Sequence, residues 1–427
     1  RLSYIKDVAE RDGAEVGIDQ TFEFTFNGTT SSSKGTFADY LELKSLTGEK
    51  STTADLLRAL YNDADALDPD KDYTELNLDL ELGFKGNPNI GTVIFDKIAA
   101  STEFDVFTKN FDPINDRVFI IGSIFGGTGS SGLPQMISAI RNHNVTGFDT
   151  CKIGAAIVMP YFKVDTPKKG GAINSSIFKS KQKAALGYYE LMRQQFGLSA
   201  TYYIAEEDSL QTTLTYSEGA DKQRNNAHIT EMLTAIAILD FATKGDRDLI
   251  GDAYEYGLNS DCAGRQDPIA LKNFGTQTQE LEMKPLARLA LMAKYLIAYL
   301  ITSKRDGNLS YYSRLNLSDA LLTQDFVALR NFSNRLFDWL AEMEMQEHPF
   351  SPFVLDADDL DTFVRGYKDN SGFLSDDADY KGFNATSNEQ YRKWGGNDAI
   401  SRNLLQTVLK IWYESAIIIF NKLNQIT

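Results

Sequence analysis

Two textures divide this chain. Up to about residue 250, short apolar runs alternate with helical patterns; beyond it, strong helical patterns stand among polar stretches. Phe22 to Phe26 alternates as a strand does, and Thr53 to Asn62 reads as a short helix ended by the acidic, turn-rich stretch Asp63 to Asp72. Leu76, Leu78, Leu80 and Leu82 alternate with Asn, Asp and Glu, which predicts a half-exposed strand. A helix from about Thr92 to Ala100 follows. Val118 to Ile121 is apolar and largely β-branched, the mark of a buried strand. Lys152 to Met159, closed by Pro160, and Thr201 to Ala205 predict two more strands. Helices are expected over Lys179 to Phe196 and over Asn225 to Ala242, the second with Ile229, Leu233, Ile236 and Ala237 on its apolar face. Strands alternating with helices imply an α/β fold, a mostly parallel sheet with helices on both faces.

Beyond residue 250 three helical patterns stand out, Leu286 to Ser303, Ser318 to Glu347 and Ser401 to Asn424. Between them Pro349 to Gly396 is rich in Asp, Gly, Asn and Ser and reads as loop with short elements. A largely helical C-terminal region is therefore expected.

The strand at Val118 breaks into Gly126-Gly-Thr-Gly-Ser-Ser-Gly132, after which Leu133, Met136, Ile137 and Ile140 recur at helical spacing. Strand, glycine-rich turn and helix together make a phosphate cradle. Glycines let the backbone approach an anion, hydroxyls add donors, and a helix N-terminus offers unpaired N–H groups with a partial positive charge. The segment lacks the Gly-Lys-Ser/Thr ending of a Walker-type loop, and its spacing is not Gly-x-Gly-x-x-Gly. A tight strand-to-helix turn with no ligand is the alternative reading.

Composition narrows the partners. The chain has 427 residues, 42% hydrophobic and 24% charged, enough for two or three domains with real cores. Its net charge of −16 argues against nucleic acid or an anionic membrane as main partner, since either needs a basic face. Cys151 and Cys262 cannot make a disulfide framework or a cysteine-based zinc site, and His143, His228 and His348 are too scattered for a metal cluster. No metal site is expected from the protein's own side chains. An uninterrupted apolar span of about 18 residues is missing, as is a signal peptide, so a cytoplasmic protein without membrane insertion is expected. Arg1 is no initiator, and the opening residues lack a glycine-rich first turn, so the chain reads as a shortened form of a longer protein.

A second glycine-rich segment, Gly83-Phe-Lys-Gly-Asn-Pro-Asn-Ile-Gly91, precedes the cradle by about forty residues. With it, the cradle resembles the tubulin/FtsZ signature Gly-Gly-Gly-Thr-Gly-Ser/Thr-Gly, with Phe125 at the first glycine, Ser131 at the last and Pro134 where FtsZ-type chains also carry proline. The upstream segment is similar to the second phosphate loop of FtsZ, Gly-Ala-Gly-Ala-Asn-Pro-x-x-Gly. Ile157-Val-Met-Pro-Tyr-Phe162 is similar to the family's strand ending in Pro-Phe. The resemblance covers roughly residues 75 to 242. It implies a nucleotide-binding domain over residues 1–224 and a central connecting helix over 225–250, whereas the mainly helical domain expected over 251–427 is read from the pattern and departs from the β-rich domain that the family places there.

What the resemblance implies for the site follows residue by residue. Gly126, Gly127, Thr128, Gly129 and Ser130 would hold the α- and β-phosphates of GTP or GDP, with magnesium as the expected companion. Phe84, Lys85, Gly86 and Asn87 would lie at the γ-phosphate edge; Lys85 either neutralises phosphate charge or faces solvent. Glu206, after the strand at Thr201, either accepts from guanine or is surface charge, and Asn226 would supply a base-contacting amide. The acidic-then-basic pair after the family's Pro-Phe strand is not recognisable; Lys179 or Lys181 would substitute. For hydrolysis the family uses an acidic loop that completes the next subunit's site. Asn259 and Asp261 in Gly257-Leu-Asn-Ser-Asp261 are the nearest match, and Asp246 and Asp248 the second, against the plain reading of acidic surface loops. The implied behaviour is nucleotide-controlled self-assembly into filaments with GTPase activity. A non-hydrolysing sensor or scaffold, and a dinucleotide-using enzyme, are the alternatives.

Overall fold

The computed structural model describes residues 35–41, 52–61, 75–80, 83–84, 86–164, 175–214, 225–255, 268–301, 310–366, 378–393 and 404–424. Two compact units emerge, one formed by Arg1–Asn225 with Met232–Tyr256, the other by Asn226–Glu231 with Gly257–Thr427.

The first unit is α/β. Its helices are α1 (Thr52–Leu60), α2 (Pro88–Phe95), α3 (Thr102–Asn110), α4 (Gly127–Arg141) and α5 (Ser175–Phe196), and α6 (Ile229–Thr243) belongs to it from Met232 onward. The strands are β1 (Arg117–Ser123), β2 (Lys152–Val158), β3 (Phe162–Val164), β4 (Ala200–Ile204), β5 (Thr212–Leu214) and β6 (Asp252–Glu255). β1, β2, β4 and β6 lie side by side in that order, all parallel, while β3 and β5 pair as a separate, smaller parallel sheet.

Alternation along the strands explains the layering. Ile153, Ala155 and Ile157 of β2 share one core with Ile137 and Ile140 of α4 and with Tyr189 and Met192 of α5. Gly154 faces the other way. A side-chain carbon there would come within 2.7 Å of Phe119 and 2.8 Å of Phe241. The Phe119 ring packs at 5.4 Å on Phe241 of α6 and at 5.7 Å on Tyr202 of β4. Helices thus cover both faces of the sheet, and glycine is what lets α6 sit close to β2.

Two expectations in this unit are revised. The leucine alternation at Leu76–Leu82 is not a strand over its described residues. Glu75–Asn77 is a 3₁₀ turn, and Asp79 makes an isolated bridge with Thr36. Leu76 and Leu78 are buried all the same, in one core with Phe37, Ile90 and Ile94, and Phe37 N–H donates to the Leu78 carbonyl at 3.0 Å. The helix expected at Thr92–Ala100 begins earlier, at Pro88, and α3 follows it. Ser101 caps α3 through a bond from Phe104 N–H, and Phe104 and Phe107 turn its buried face inward. The candidate strand Phe22–Phe26 lies outside the described residues.

The second unit is helical. Thr276–Thr278, a π-helical turn Gln279–Met283, α7 (Lys284–Lys294) and a second π-helical stretch Tyr295–Leu300 run on without a break. After them come α8 (Gln324–Glu344), α9 (Tyr380–Lys393) and α10 (Leu404–Asn424). α9 lies inside the stretch expected to be loop. Its polar residues are its buried face: Tyr295 Oη donates to Asn384 Oδ1 at 2.7 Å, and the hydroxyls of Ser387 and Ser415 meet at 3.1 Å.

Candidate functional site

The cradle begins where β1 ends. Ile124 N–H donates to the Val158 carbonyl at 3.0 Å, holding the end of β1 beside β2. Gly126 is the N-cap of α4 in extended backbone (φ −85, ψ 171), and helix starts at Gly127. The expected turn Gly126–Gly132 is therefore mostly the first two turns of α4, a revision that shifts the chemistry from loop to helix end. Gly127, Thr128 and Gly129 carry the first helical N–H groups, which have no partner within a helix. Gly126 supplies no side-chain cap for them. Thr128 is exposed; the Ser130 hydroxyl donates back to the Gly126 carbonyl and so serves the helix. Tyr189 Oη of α5 donates to the Ser130 carbonyl at 3.0 Å, fixing this turn from the side.

The upstream segment is built in the same way. Asn87 N–H closes a turn onto the Phe84 carbonyl at 2.8 Å, with Gly86 in the left-handed region at φ +78. Asn87 then caps α2 without a side-chain hydrogen bond, and Pro88 opens the helix. Phe84 is buried, its ring edge-on to Phe95 at 5.8 Å, so its side chain is core and only its backbone belongs to the turn.

These two segments meet. A side-chain carbon on Gly127 would lie 2.7 Å from Phe84 Cβ and 3.0 Å from Asn87 N; one on Gly91 would lie 2.0 Å from Ser131 Oγ; one on Gly132 would lie 2.9 Å from the Phe95 ring. Contacts advance in the same direction along both segments, 87 with 127, 91 with 131, 95 with 132. α2 and α4 therefore run parallel, their N-termini adjacent, and neither is capped by a side chain. Adjacent like ends of two helix dipoles repel, and an anion placed between them relieves that repulsion while accepting from first-turn amides that have no partner within the helix.

No protein-family model, curated protein or solved structure matches this chain.

The neighbouring strand exits face the same side of the sheet. Ser123, Val158 and Ile204 stand in one row of the register at the carboxyl ends of β1, β2 and β4. Glu206 lies two residues past the end of β4, and its Oε1 accepts from Glu207 N–H at 2.9 Å. Phe125, just before Gly126, packs its ring on Tyr161 at 6.3 Å and on Phe162 at 5.4 Å. Gln211 is buried, and its amide nitrogen donates to the Pro160 carbonyl at 3.0 Å, with the Glu206 carbonyl at 3.4 Å and Asp208 Oδ1 at 3.3 Å sharing the donor. Gln211 and Tyr189 carried no sequence signal, because a glutamine and a tyrosine acquire these roles only through tertiary packing.

Other candidates fall elsewhere. Asn226 counts with the second unit, where its Nδ2 lies 3.6 Å from Met345 Sδ, and it precedes α6, which begins at Ile229 rather than Asn225. Asp246 sits at the opposite end of β1 from the cradle, bound to Arg117 at 3.0 Å. Arg117 also donates to the carbonyls of Phe241 at 2.8 Å and Lys244 at 2.7 Å, closing the C-terminus of α6. Asp248 is exposed beside it. Lys85, Asn259 and Asp261 lie outside the described residues, as do the side chains of Lys179 and Lys181. Among the described residues no three His, Cys, Asp or Glu side chains gather to hold a metal, and no helix is long and apolar enough to cross a membrane.

Proposed function

We propose that this chain is a tubulin/FtsZ-like nucleotide-binding protein that takes GTP or GDP with magnesium and whose bound state controls self-assembly. One observation carries the reading: α2 and α4, each opened by one of the two glycine-rich segments, lie parallel with uncapped N-termini side by side. The uncapped amides of Gly127, Thr128 and Gly129 fit an anionic phosphate, and the exposed Thr128 hydroxyl adds a donor. The nucleotide would bring its own magnesium on the phosphate oxygens. Glu206, at the exit of β4, is the residue assigned to the base edge.

Titration of the purified chain with GTP, GDP, ATP and NAD by calorimetry, with and without magnesium, tests the binding. Analytical ultracentrifugation with each nucleotide tests assembly. No binding at saturating magnesium and GTP would overturn the reading. Hydrolysis is assigned to a neighbouring subunit's acidic loop, and loss of phosphate release in Asp261→Ala at high protein concentration would support it. The second reading, a sensor or scaffold that does not hydrolyse, is favoured by the engagement of Asp246 with Arg117. Under that reading phosphate release stays at background at every protein concentration.

A further inference from the structure

β2 ends at Val158 and β4 at Ile204, and a short strand follows each of them. β3 follows β2 and β5 follows β4, and the two pair parallel in the smaller sheet, with Phe162 opposite Thr212 and Val164 opposite Leu214. Gln211 joins the two exits. The residue stands just before β5 and is 8% exposed, and its side chain reaches across to the Pro160 carbonyl in the exit of β2. The same amide holds the Glu206 carbonyl and Asp208 Oδ1 in the exit of β4. From Pro160 the contact continues through Tyr161 and Phe162, whose rings pack at 4.9 Å, to Phe125 and so to Gly126.

We propose that Gln211 is a positioning residue, the clamp that holds the exit of β4, with Glu206 on it, at a fixed place relative to the phosphate cradle. The inference rests on the nucleotide reading above. A buried amide that satisfies carbonyls from two exits at once ties them more tightly than surface loops are usually tied. It touches neither the cradle amides nor any group assigned to phosphate. Its loss should therefore leave phosphate binding alone and loosen what the rest of a nucleotide gains beyond its phosphates.

The probes are GTP and inorganic tripolyphosphate, titrated calorimetrically into the full chain and into Gln211→Met, which keeps the bulk and loses both donors. GTP affinity is expected to fall roughly tenfold, the scale of one or two neutral hydrogen bonds, with tripolyphosphate affinity unchanged within about twofold. A merely structural role would lower both affinities together, and that result overturns the proposal, as does no change in either. In the unaltered protein, hydrogen exchange gives an independent reading that needs no variant. GTP, and not tripolyphosphate, should slow exchange of the amides of Thr212–Leu214; equal effects of the two overturn it. A wild-type chain that binds tripolyphosphate as tightly as GTP also overturns the clamp while leaving the phosphate cradle standing. One that binds neither overturns the nucleotide reading itself.

Discussion

Gly91 of α2 rests directly against Ser131 of α4, so closely that a side-chain carbon on Gly91 would stand 2.0 Å from Ser131 Oγ, 2.9 Å from Ser131 Cβ and 2.7 Å from Phe84 Cδ2. This is the contact that sets the spacing of the two parallel helices. Substitution Gly91→Ala cannot be absorbed by turning a flexible side chain, because two of the three obstacles are a Cβ and a packed ring. It should cost about 1–3 kcal/mol in urea unfolding and weaken GTP binding as the helix ends part. Gly187 on α5 is the control. It is exposed, and a side-chain carbon added there would have nothing within 4 Å, so Gly187→Ala should stabilise by about 0.5–1 kcal/mol through helix propensity alone.

Gly127 probes the site rather than the frame. A methyl group there meets Phe84 Cβ at 2.7 Å, Asn87 N at 3.0 Å and the Phe84 carbonyl at 3.1 Å. Gly127→Ala should push the Phe84–Asn87 turn off the end of α4 and reduce GTP and tripolyphosphate affinity alike. Equal affinities in variant and wild type, measured by calorimetry, would detach this contact from binding.

How much of this was legible beforehand depended on where each signal resides. β2 is visible because Ile153, Ala155, Ile157 and their neighbours are buried on both faces, which writes a continuous apolar run. α9 is invisible because Asn384, Ser387 and Asn388 are buried in polar company, and a polar buried face cannot be told from a solvated one by pattern. The glycines at 126, 127 and 129 announced a close approach but not its object. Part of that object is the protein itself, since a side-chain carbon on Gly129 would lie 2.5 Å from Ser123 N. The parallel pairing of α2 and α4 is a tertiary fact, reached only when Gly91 and Gly127 are seen against their partners.

Glu282, in the π-helical turn before α7, has its carboxyl pushed up to about 7 by burial. A carboxyl whose pKa is raised in the folded state binds protons there that the unfolded chain has already lost. Its contribution to stability is therefore full below the ordinary glutamate pKa and declines as pH rises through about 7. Because the group is partly solvated, the decline should amount to about 1 kcal/mol, not the full value of the shift. Urea unfolding at intervals from pH 4 to 8 should show this fall in the wild type and a flatter profile in Glu282→Gln.

Arg117 and Asp246 should separate cleanly in mutagenesis. Arg117 donates to carbonyls at the end of α6 as well as to Asp246, and Arg117→Met should cost about 2 kcal/mol by leaving them without that donor. Asp246 is three-quarters exposed, so Asp246→Asn should cost no more than about 0.5 kcal/mol. Thermal unfolding of the two variants gives the comparison. A large drop in phosphate release from Asp246→Asn with normal stability would move this loop into the hydrolytic machinery.

The four strands of the main sheet occupy the same order in space as along the chain, β1, β2, β4, β6. Among the described strands of this sheet, each is laid beside the one before it and none is inserted between two earlier ones. A ribosome releasing this segment from its N-terminal side can thus deliver every strand to an edge that already exists. The Gly126 turn, which follows the first of these strands, is synthesised before the exits of β2 and β4 that are to flank it. Assembly of the sheet is then a matter of vectorial growth, in which the order of synthesis and the order of docking coincide.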